Sequence, residues 1–187
     1  LVNEIIEVIN GCLKNDRKAQ FRLYEYCFDH MMGICIRYEK DQDSALEILN
    51  LSFIKVLKKL DTYNPEYSFT PWFKRITVNE AIDAYRKKRR HSEVFNRDAD
   101  EIENLTVVHN GAESTDWIEN EYLEHLMESL KEDEKAVFNL YAIDGYAHKE
   151  IAESLGISER TSIRHLASAR KKLQAQLSTN EFGMKKA

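Results

Sequence analysis

Apolar residues recur every three or four positions along most of this chain, and this spacing constrains the fold more than any other feature. The first stretch starts at Val2 and carries Ile5, Ile9 and Cys12 on one side. Apolar residues at such spacing lie on one face of an amphipathic helix. Only 6 Gly and 2 Pro occur in 187 residues, so few positions interrupt helices. The sequence therefore predicts an all-α protein.

A fourth helix is predicted after two more amphipathic segments and a turn at residues 61–67. Thr70 and Pro71 favour a helix start, because Thr can cap free amides and Pro has no amide to lose at the first helical position. Residues 72–76 are rich in aromatic and apolar side chains, which we expect to be core. The helix is predicted to end at Arg90.

The middle of the chain loses this period. Acidic residues dominate between residues 91 and 116, a composition that favours a flexible linker over a packed helix. Apolar periodicity resumes near Trp117 and continues to Leu177. The sequence thus predicts two small helical domains, with residues 1–90 in the first, 91–116 in an acidic linker, 117–178 in the second and 179–187 in a frayed tail.

The segment from Ala147 to Leu173 has the pattern of a helix-turn-helix. Ala152 is small enough for a close helix crossing, Gly156 permits a tight turn, and Ser158 can cap the following helix. Apolar residues for a shared core follow at helical spacing, namely Ile151, Leu155, Ile157 and Leu166. A plain helical hairpin with a solvated basic end is the alternative, and the Ala, Gly and Ser at these offsets favour DNA binding.

The charge distribution supports nucleic acid as a partner, although the net charge is -5. Basic residues concentrate in two places, residues 86–90 and residues 160–172, while the linker collects acids. Phosphate contacts by Lys and Arg supply most non-specific affinity for DNA, so local clusters matter more than the sum.

The second helix of the motif and the basic run at residues 86–90 offer candidate DNA contacts. In the major groove Arg can hydrogen-bond guanine and an apolar group can contact the thymine methyl. The residues expected to read bases are Arg160, Thr161, Ile163, Arg164, His165, Ala167 and Ser168. Those expected to contact the DNA backbone are Lys149, Arg170, Lys171 and Lys172 in the motif, and Arg86, Lys87, Arg89 and Arg90 in the run.

Other classes of protein receive little support from the sequence. No run approaches the roughly 20 apolar residues of a membrane span, and no leader opens the chain, so a cytoplasmic protein is expected. The three cysteines lack metal-ligand spacing and are expected to pack as small hydrophobes. Asp41, Asp43 and Glu47 resemble a solvated helix start more than a metal site. We expect no metal, cofactor, small-molecule substrate or catalytic activity.

Taken together, the two halves resemble an extracytoplasmic-function sigma factor, a bacterial RNA polymerase subunit of the sigma-70 family. In the second half the resemblance rests on Val137-Phe138-Asn139-Leu140-Tyr141, Gly145, Lys149-Glu150-Ile151-Ala152, Leu155-Gly156-Ile157-Ser158, Thr161, Leu166 and Ala169-Arg170. In the first half it rests on Phe21, Leu23-Tyr24, Ala45, Phe53-Ile54-Lys55-Val56, Trp72-Phe73-Lys74-Arg75-Ile76, Asn79, Asp83, Arg86 and Arg89-Arg90.

The resemblance implies roles for both halves. The first would bind core RNA polymerase and open the −10 promoter element, while the second reads the −35 element as duplex. For the −10 element it implies Tyr63, Asn64, Tyr67, Phe69, Asn79 and Arg86, since aromatic and amide groups beside a basic track suit single strands. For the polymerase contact it implies Glu47, Asn50, Leu51 and Phe53. An anti-sigma protein is a further implied partner.

This chain departs from the family pattern at several positions. Asn50 and Leu51 stand where the family has a Gln and an acid. Ser162 replaces a usual apolar residue and Ile163 a usual basic one, which bears on how the recognition helix is rotated. The sequence is interpreted as that of a sigma factor. The alternative is a stand-alone helix-turn-helix repressor or activator, which would normally dimerise on a two-fold site.

Overall fold

The computed structural model describes residues 2–39, 41–95, 126–127 and 129–184. The backbone divides into two compact units, Leu1–Glu103 and Asn104–Ala187. Within the described ranges every regular element is a helix, which confirms the predicted all-α class. Most of the predicted acidic linker lies outside these ranges, as do Trp117 and Tyr122.

The described residues of the first unit form four α-helices and one short 3-10 turn. They are α1 (Val2–Leu13), α2 (Arg17–Tyr38), α3 (Gln42–Lys59), the turn Leu60–Thr62, and α4 (Phe69–Phe95). The long α2 packs against the other three helices, and α3 also packs against α4. The inner face of α2 is fully buried at Leu23, Cys27 and Met31. A fully buried side chain of this kind contributes roughly 1.5–3 kcal/mol.

Local hydrogen bonds fix the junction between α1 and α2. Asn15 adopts a positive φ of 60°, and the amide of Asp16 donates to the Gly11 carbonyl at 3.1 Å. This arrangement satisfies carbonyls at the end of α1. The Asp16 carboxylate then caps α2 by accepting from the Lys18 amide at 2.8 Å. The two helices approach closely here, since a Cβ built on Gly11 would lie 2.6 Å from the Ala19 Cβ.

Asp41 caps α3. Its carboxylate accepts from the amide of Ser44 at 2.8 Å and from the hydroxyl of the same residue at 2.6 Å. The hydrogen bond from the Ser44 hydroxyl lowers the pKa of Asp41 most, and the bond from the Ser44 amide lowers it further. Asp41 was predicted to lie at the start of a helix, and its capping of α3 confirms this prediction.

The predicted bounds of α4 need correction at both ends. The helix begins at Phe69, so Thr70 and Pro71 lie inside its first turn. The Thr70 hydroxyl forms a hydrogen bond with the Tyr26 hydroxyl at 3.2 Å. Pro71 is tolerated because the first four amides of a helix have no intrahelical partner. The helix also continues to Phe95, five residues beyond Arg90, into the segment predicted as linker.

The three cysteines lie in the core of the first unit as free thiols, as predicted. Burial raises the pKa of Cys27 and of Cys35 to about 12, and that of Cys12 to about 11. The thiols therefore stay protonated and behave as small apolar groups.

The second unit contains α5 (Glu132–Phe138), a π-helical turn (Asn139–Ile143), α6 (His148–Leu155) and α7 (Glu159–Met184). Both α5 and α6 pack against α7. Gly145 has a φ of 76° and turns the chain toward α6. The last helix runs to Met184, past the predicted end of the domain at 178. None of the described helices of either unit is long and apolar enough to cross a membrane.

Candidate nucleic-acid interfaces

The helix-turn-helix forms as the sequence predicts. Gly156 ends α6 in the left-handed conformation, with a φ of 66°, and the Ile157 amide donates to the Ala152 carbonyl at 3.1 Å. Ser158 then caps α7, because its hydroxyl oxygen accepts from the Thr161 amide at 3.1 Å. Ile151 and Leu166 are buried between the helices. The turn thus fixes the direction of α7 relative to α6.

At the start of α6 the side chain of Ala147 offers no cap. Glu150 compensates in part, since its carboxylate accepts from the Ala147 amide at 2.8 Å. This is one half of a capping box, and the other half requires Ser or Thr at Ala147.

The register of α7 is set by Ser162, which is fully buried. Its hydroxyl forms a hydrogen bond with Nδ1 of His148 at 2.9 Å, so the polar group has a partner inside the domain. The next residue, Ile163, is 50% exposed. Ser162 therefore occupies a core position and Ile163 an outward one, and the rotation of the recognition helix follows from this pair.

One exposed face of α7 combines basic and apolar groups. It carries Arg160, Arg164, Ala167 and Lys171, with Ile163 at its edge, all exposed. Thr161 and His165, which are four residues apart and so lie on the same flank of this face, are half-buried, and the Thr161 hydroxyl already bonds Ser158 at 2.8 Å. The spacing of three and four residues places the exposed set along one line of the helix. This face can enter a groove without disturbing the core.

Two residues predicted to contact DNA are instead held inside the domain by Glu134. The Ser168 hydroxyl donates to Glu134 Oε1 at 2.7 Å, and Lys172 Nζ lies 2.6 Å from Oε2. Oε2 also accepts from the Lys131 amide at 3.0 Å. Burial raises the pKa of Glu134, but the hydrogen bonds from Lys172, Ser168 and Lys131 outweigh it, and the pKa falls to about 2. Ser168 and Lys172 join α7 to α5.

Arg170 lies beside an aromatic stack. Its guanidinium carbon is 5.6 Å from the centroid of the Tyr141 ring, and that ring stacks on His148 with centroids 4.5 Å apart. A guanidinium over an aromatic face is attracted by the ring's negative charge distribution. Arg170 and Lys149 are both exposed, so they remain accessible to phosphates.

In the first unit the basic run of α4 divides between two directions. Asn79, Arg86 and Arg90 are exposed and follow one another at spacings of seven and four residues, which places them along one stripe. The other basic residues of the run point toward the domain itself. Lys88 bonds both oxygens of Glu39 at 3.1 Å. Lys87 lies with Lys88 in a groove between α3 and α4 of about 570 Å³, and Arg89 is half-buried. The run therefore offers fewer free cations than its sequence suggests.

The predicted single-strand loop precedes α4. Tyr67 is 71% exposed and Asn64 is exposed, whereas Phe69 is only 3% exposed and belongs to the core. Phe69 is therefore unavailable to an unpaired base, because its ring packs against Trp72 and Phe73. Trp72 and Phe73 are core residues, as predicted.

The predicted polymerase surface lies on α3. Glu47, Asn50 and Leu51 are exposed, but Phe53 is 9% exposed and packs edge-on against Tyr24. The next residue, Ile54, is 47% exposed. Phe53 thus belongs to the core, and Ile54, which was not among the predicted polymerase contacts, takes its place on the surface.

Some residues that shape these surfaces were missed. Glu134 and Tyr141 were not predicted to act at these surfaces, because the α7 residues that they contact, Ser168, Lys172 and Arg170, lie 29 or more residues away in the chain. Helical arithmetic on α3 can find Ile54, which is seven residues from Glu47 and three from Leu51 and so shares their face.

Comparisons with known proteins match both halves of the chain. Residues 23–91 match the family described as Sigma-70 region 2, and residues 120–173 match Sigma-70, region 4. The two matches together cover more than half of the chain.

Among similar sequences, the ECF RNA polymerase sigma-E factor of Haemophilus influenzae is 24% identical over 88% of this chain and 90% of its own. RNA polymerase sigma factor SigV of Bacillus subtilis is 28% identical over 80% of this chain and 85% of its own. A Xanthomonas campestris protein named "Probable RNA polymerase sigma factor RfaY" is 24% identical over 95% of this chain. The matched region covers 44% of that longer protein.

Among solved structures, CnrH in complex with the cytosolic domain of CnrY matches with a TM-score of 0.48 and 19% identity, covering 92% of this chain and 96% of that one. The sigma factor RpoE in complex with the anti-sigma factor NepR, from Bartonella quintana, matches with a TM-score of 0.49 and 17% identity, covering 84% of this chain and 95% of that one.

The molecule is thus a two-domain helical protein with a helix-turn-helix in one domain and a basic helix beside an aromatic loop in the other. It belongs to the sigma-70 family of RNA polymerase sigma factors, in the extracytoplasmic-function group. Its function is that of a sigma factor, which directs RNA polymerase to promoters for the initiation of transcription.

Proposed function

We propose that the chain reads promoters at two separate surfaces while bound to core RNA polymerase. The second domain reads the −35 element as duplex, and the first docks on polymerase and opens the −10 element. The protein acts in the cytoplasm as a dissociable initiation factor and catalyses no reaction itself. The buried Ser162 carries this proposal, because it turns the basic and apolar face of α7 outward.

The −35 surface consists of the exposed face of α7. Arg160 and Arg164 supply guanidinium groups that can address guanine, and Ile163 and Ala167 can contact thymine methyl groups. Lys149, Arg170 and Lys171 flank this face and neutralise phosphates. Thr161 and His165 stay at its edge. Ser168 and Lys172 are left out, because Glu134 holds both of them.

The −10 surface consists of the α4 stripe and the loop before it. Asn79, Arg86 and Arg90 line the exposed stripe, and Tyr67 projects from the loop. A cationic track beside an aromatic group suits a separated strand, because phosphates follow the charges while a base stacks on the ring.

The polymerase surface is the outer face of α3. Glu47, Asn50, Leu51 and Ile54 are exposed there, and Leu51 and Ile54 present large apolar side chains to solvent. Exposed apolar groups among polar ones are typical of protein interfaces. We also propose an anti-sigma protein as a partner, since this family is commonly regulated in that way.

Run-off transcription with core polymerase on genomic fragments tests the proposal. Specific start sites should appear only when this chain is added, and their absence would contradict the proposed function. The mapped promoters then allow a residue-level test. Arg164→Ala should weaken use of promoters with an intact −35 element by about 1–3 kcal/mol. Arg17→Ala is the matched control, because Arg17 is an exposed arginine of α2 outside the proposed surfaces.

A further inference from the structure

The π-helical turn Asn139–Ile143 brings Tyr141 to the surface of the second domain. Asn139 and Leu140 are fully buried and anchor the turn in the domain. The amide of Asp144 donates to the carbonyl of Asn139 at 2.9 Å, five residues back, which closes the wide ring of a π-helix. Tyr141 follows the buried pair and is 36% exposed. Its ring therefore lies at the surface on a backbone that is held in place.

The Tyr141 ring stacks on His148 at the start of α6. The two ring centroids are 4.5 Å apart and the ring planes differ by 22°. His148 is itself held, because its Nδ1 shares a hydrogen bond with the hydroxyl of the buried Ser162 at 2.9 Å. The pair of rings thus connects a core position of α7 with the surface and restricts the orientation of the Tyr141 ring.

The Arg170 guanidinium lies over the Tyr141 ring. Its central carbon is 5.6 Å from the ring centroid, a distance at which a cation is attracted to the aromatic face. Arg170 is exposed on α7. An exposed arginine side chain otherwise samples many rotamers and loses that freedom when it binds. The Tyr141 ring restricts this sampling, so the guanidinium already occupies a defined region before DNA binds.

We propose that Tyr141 is a positioning residue, which holds Arg170 ready for a phosphate of the −35 duplex and does not itself contact the DNA. This inference rests on the proposed −35 surface, in which Arg170 neutralises a phosphate. A guanidinium that is already ordered loses less conformational freedom upon binding, so the affinity for the duplex is higher. The role belongs to the ring and not to the phenol hydroxyl, because the aromatic face attracts the cation.

The test measures the affinity of the holoenzyme, formed by the full chain and core polymerase, for a −35-dependent promoter mapped by run-off transcription. Tyr141→Leu should weaken binding by about 2- to 5-fold, the range for a cation–π interaction at an exposed site. Tyr141→Phe should bind like the unaltered chain, because it keeps the ring. Thermal unfolding of each variant shows whether the second domain is still folded.

A double-mutant cycle separates the positioning of Arg170 from a general effect on the domain. Arg170→Gln should reduce the salt dependence of binding by about one unit of slope, the value for one lost phosphate contact. In that background Tyr141→Leu should have no further effect on affinity, because no guanidinium is left to hold. Lys171→Gln is the matched control, since Lys171 is the next residue of α7 and is also exposed. Tyr141→Leu should keep its full effect in the control background.

Three results would overturn the inference. An equal effect of Tyr141→Leu with and without the Arg170 guanidinium would show that Tyr141 acts independently of Arg170. Unchanged affinity of Tyr141→Leu with Arg170 intact would remove the positioning role, and so would a loss with Tyr141→Phe as large as that with Tyr141→Leu. Each result is obtained with a holoenzyme that makes promoter-specific transcripts. A lack of such transcripts would instead contradict the proposed function itself, so the two failures are distinguishable.

Discussion

Two glycines of the first domain differ in the space around them. At Gly11 an added methyl group would lie 2.6 Å from the Ala19 Cβ, whereas at Gly33 nothing lies within 4 Å. Gly11→Ala should therefore destabilise the domain by about 1–3 kcal/mol through overpacking of α1 against α2. Gly33→Ala is the control and should stabilise α2 by up to about 1 kcal/mol, because Ala is the better helix former. Hydrogen exchange of the α2 amides measures both effects, and equal signs would contradict the packing argument.

Glu134 makes the stability of the second domain depend on acidity. Its pKa is about 2 in the folded domain, below its ordinary 4.5, so the contribution is complete above pH 4.5 and is lost as the pH falls toward 2. The linked change is roughly 3 kcal/mol. Hydrogen exchange of α5 and α7 amides between pH 6 and 2 should show this loss in the unaltered chain.

Glu134→Gln should flatten that pH profile and lower stability at neutral pH, since an amide cannot accept two charge-assisted hydrogen bonds from Ser168 and Lys172 as a carboxylate does. Glu132→Gln, at an exposed position of the same helix, should leave the profile unchanged. A Glu134→Gln profile as steep as that of the unaltered chain would assign the acid sensitivity to other groups.

At the scale of the element, the basic end of α4 contains residues of two kinds. Arg86→Gln and Arg90→Gln should each reduce the salt dependence of open-complex formation by about one unit of slope, the value for one lost phosphate contact. Lys88→Gln should leave the slope unaltered, because Lys88 is bonded to Glu39 within the domain. The slope comes from measuring open complexes across a salt series, and an equal effect of all three substitutions would show that the whole run is free to bind DNA.

The helices were predictable because their apolar period and turn residues are local signals. Gly156 and Ser158 act as their residue types suggest. Residue type alone misplaces these two positions of α7, because a buried Ser and an exposed Ile reverse the usual preference. The hydrogen-bond partner of the Ser162 hydroxyl is His148, fourteen positions away in the chain, which the local sequence does not reveal. The rotation of α7 follows instead from Leu166 and Leu173, which lie four and eleven residues beyond Ser162 and share its buried face.

The same distinction between local signals and distant partners applies to the site residues. Exposure of Arg164 and Asn79 follows from helical arithmetic. Phe53 and Phe69 were grouped with binding residues by motif position, but each is drawn into the core by aromatic neighbours on other elements. Ser168 and Lys172 likewise carry suitable chemistry for DNA, and the buried carboxylate that holds them comes from α5. Residue type and spacing predict which chemistry is present, and tertiary partners decide whether it is free.

At the scale of the whole molecule, a net charge of -5 accompanies two localised basic surfaces. The chain alone should therefore bind promoter duplex weakly, because its acids repel DNA while one motif attracts it. With core polymerase the same promoter should be bound far more tightly and specifically. A gel shift with and without core polymerase measures this difference. Tight, salt-sensitive binding by the chain alone would favour a stand-alone repressor or activator.

The buried thiols of the first domain have a practical consequence. Labelling requires the thiolate, the nucleophile that attacks a thiol reagent, and Cys27 and Cys35 are fully buried with pKa values raised to about 12. Labelling must therefore wait for the helices around them to separate. The labelling rate therefore measures how often this domain opens, and mass spectrometry detects the label without any engineered probe. Slower labelling upon addition of core polymerase would report, in kinetic units, how strongly docking holds the four-helix unit closed.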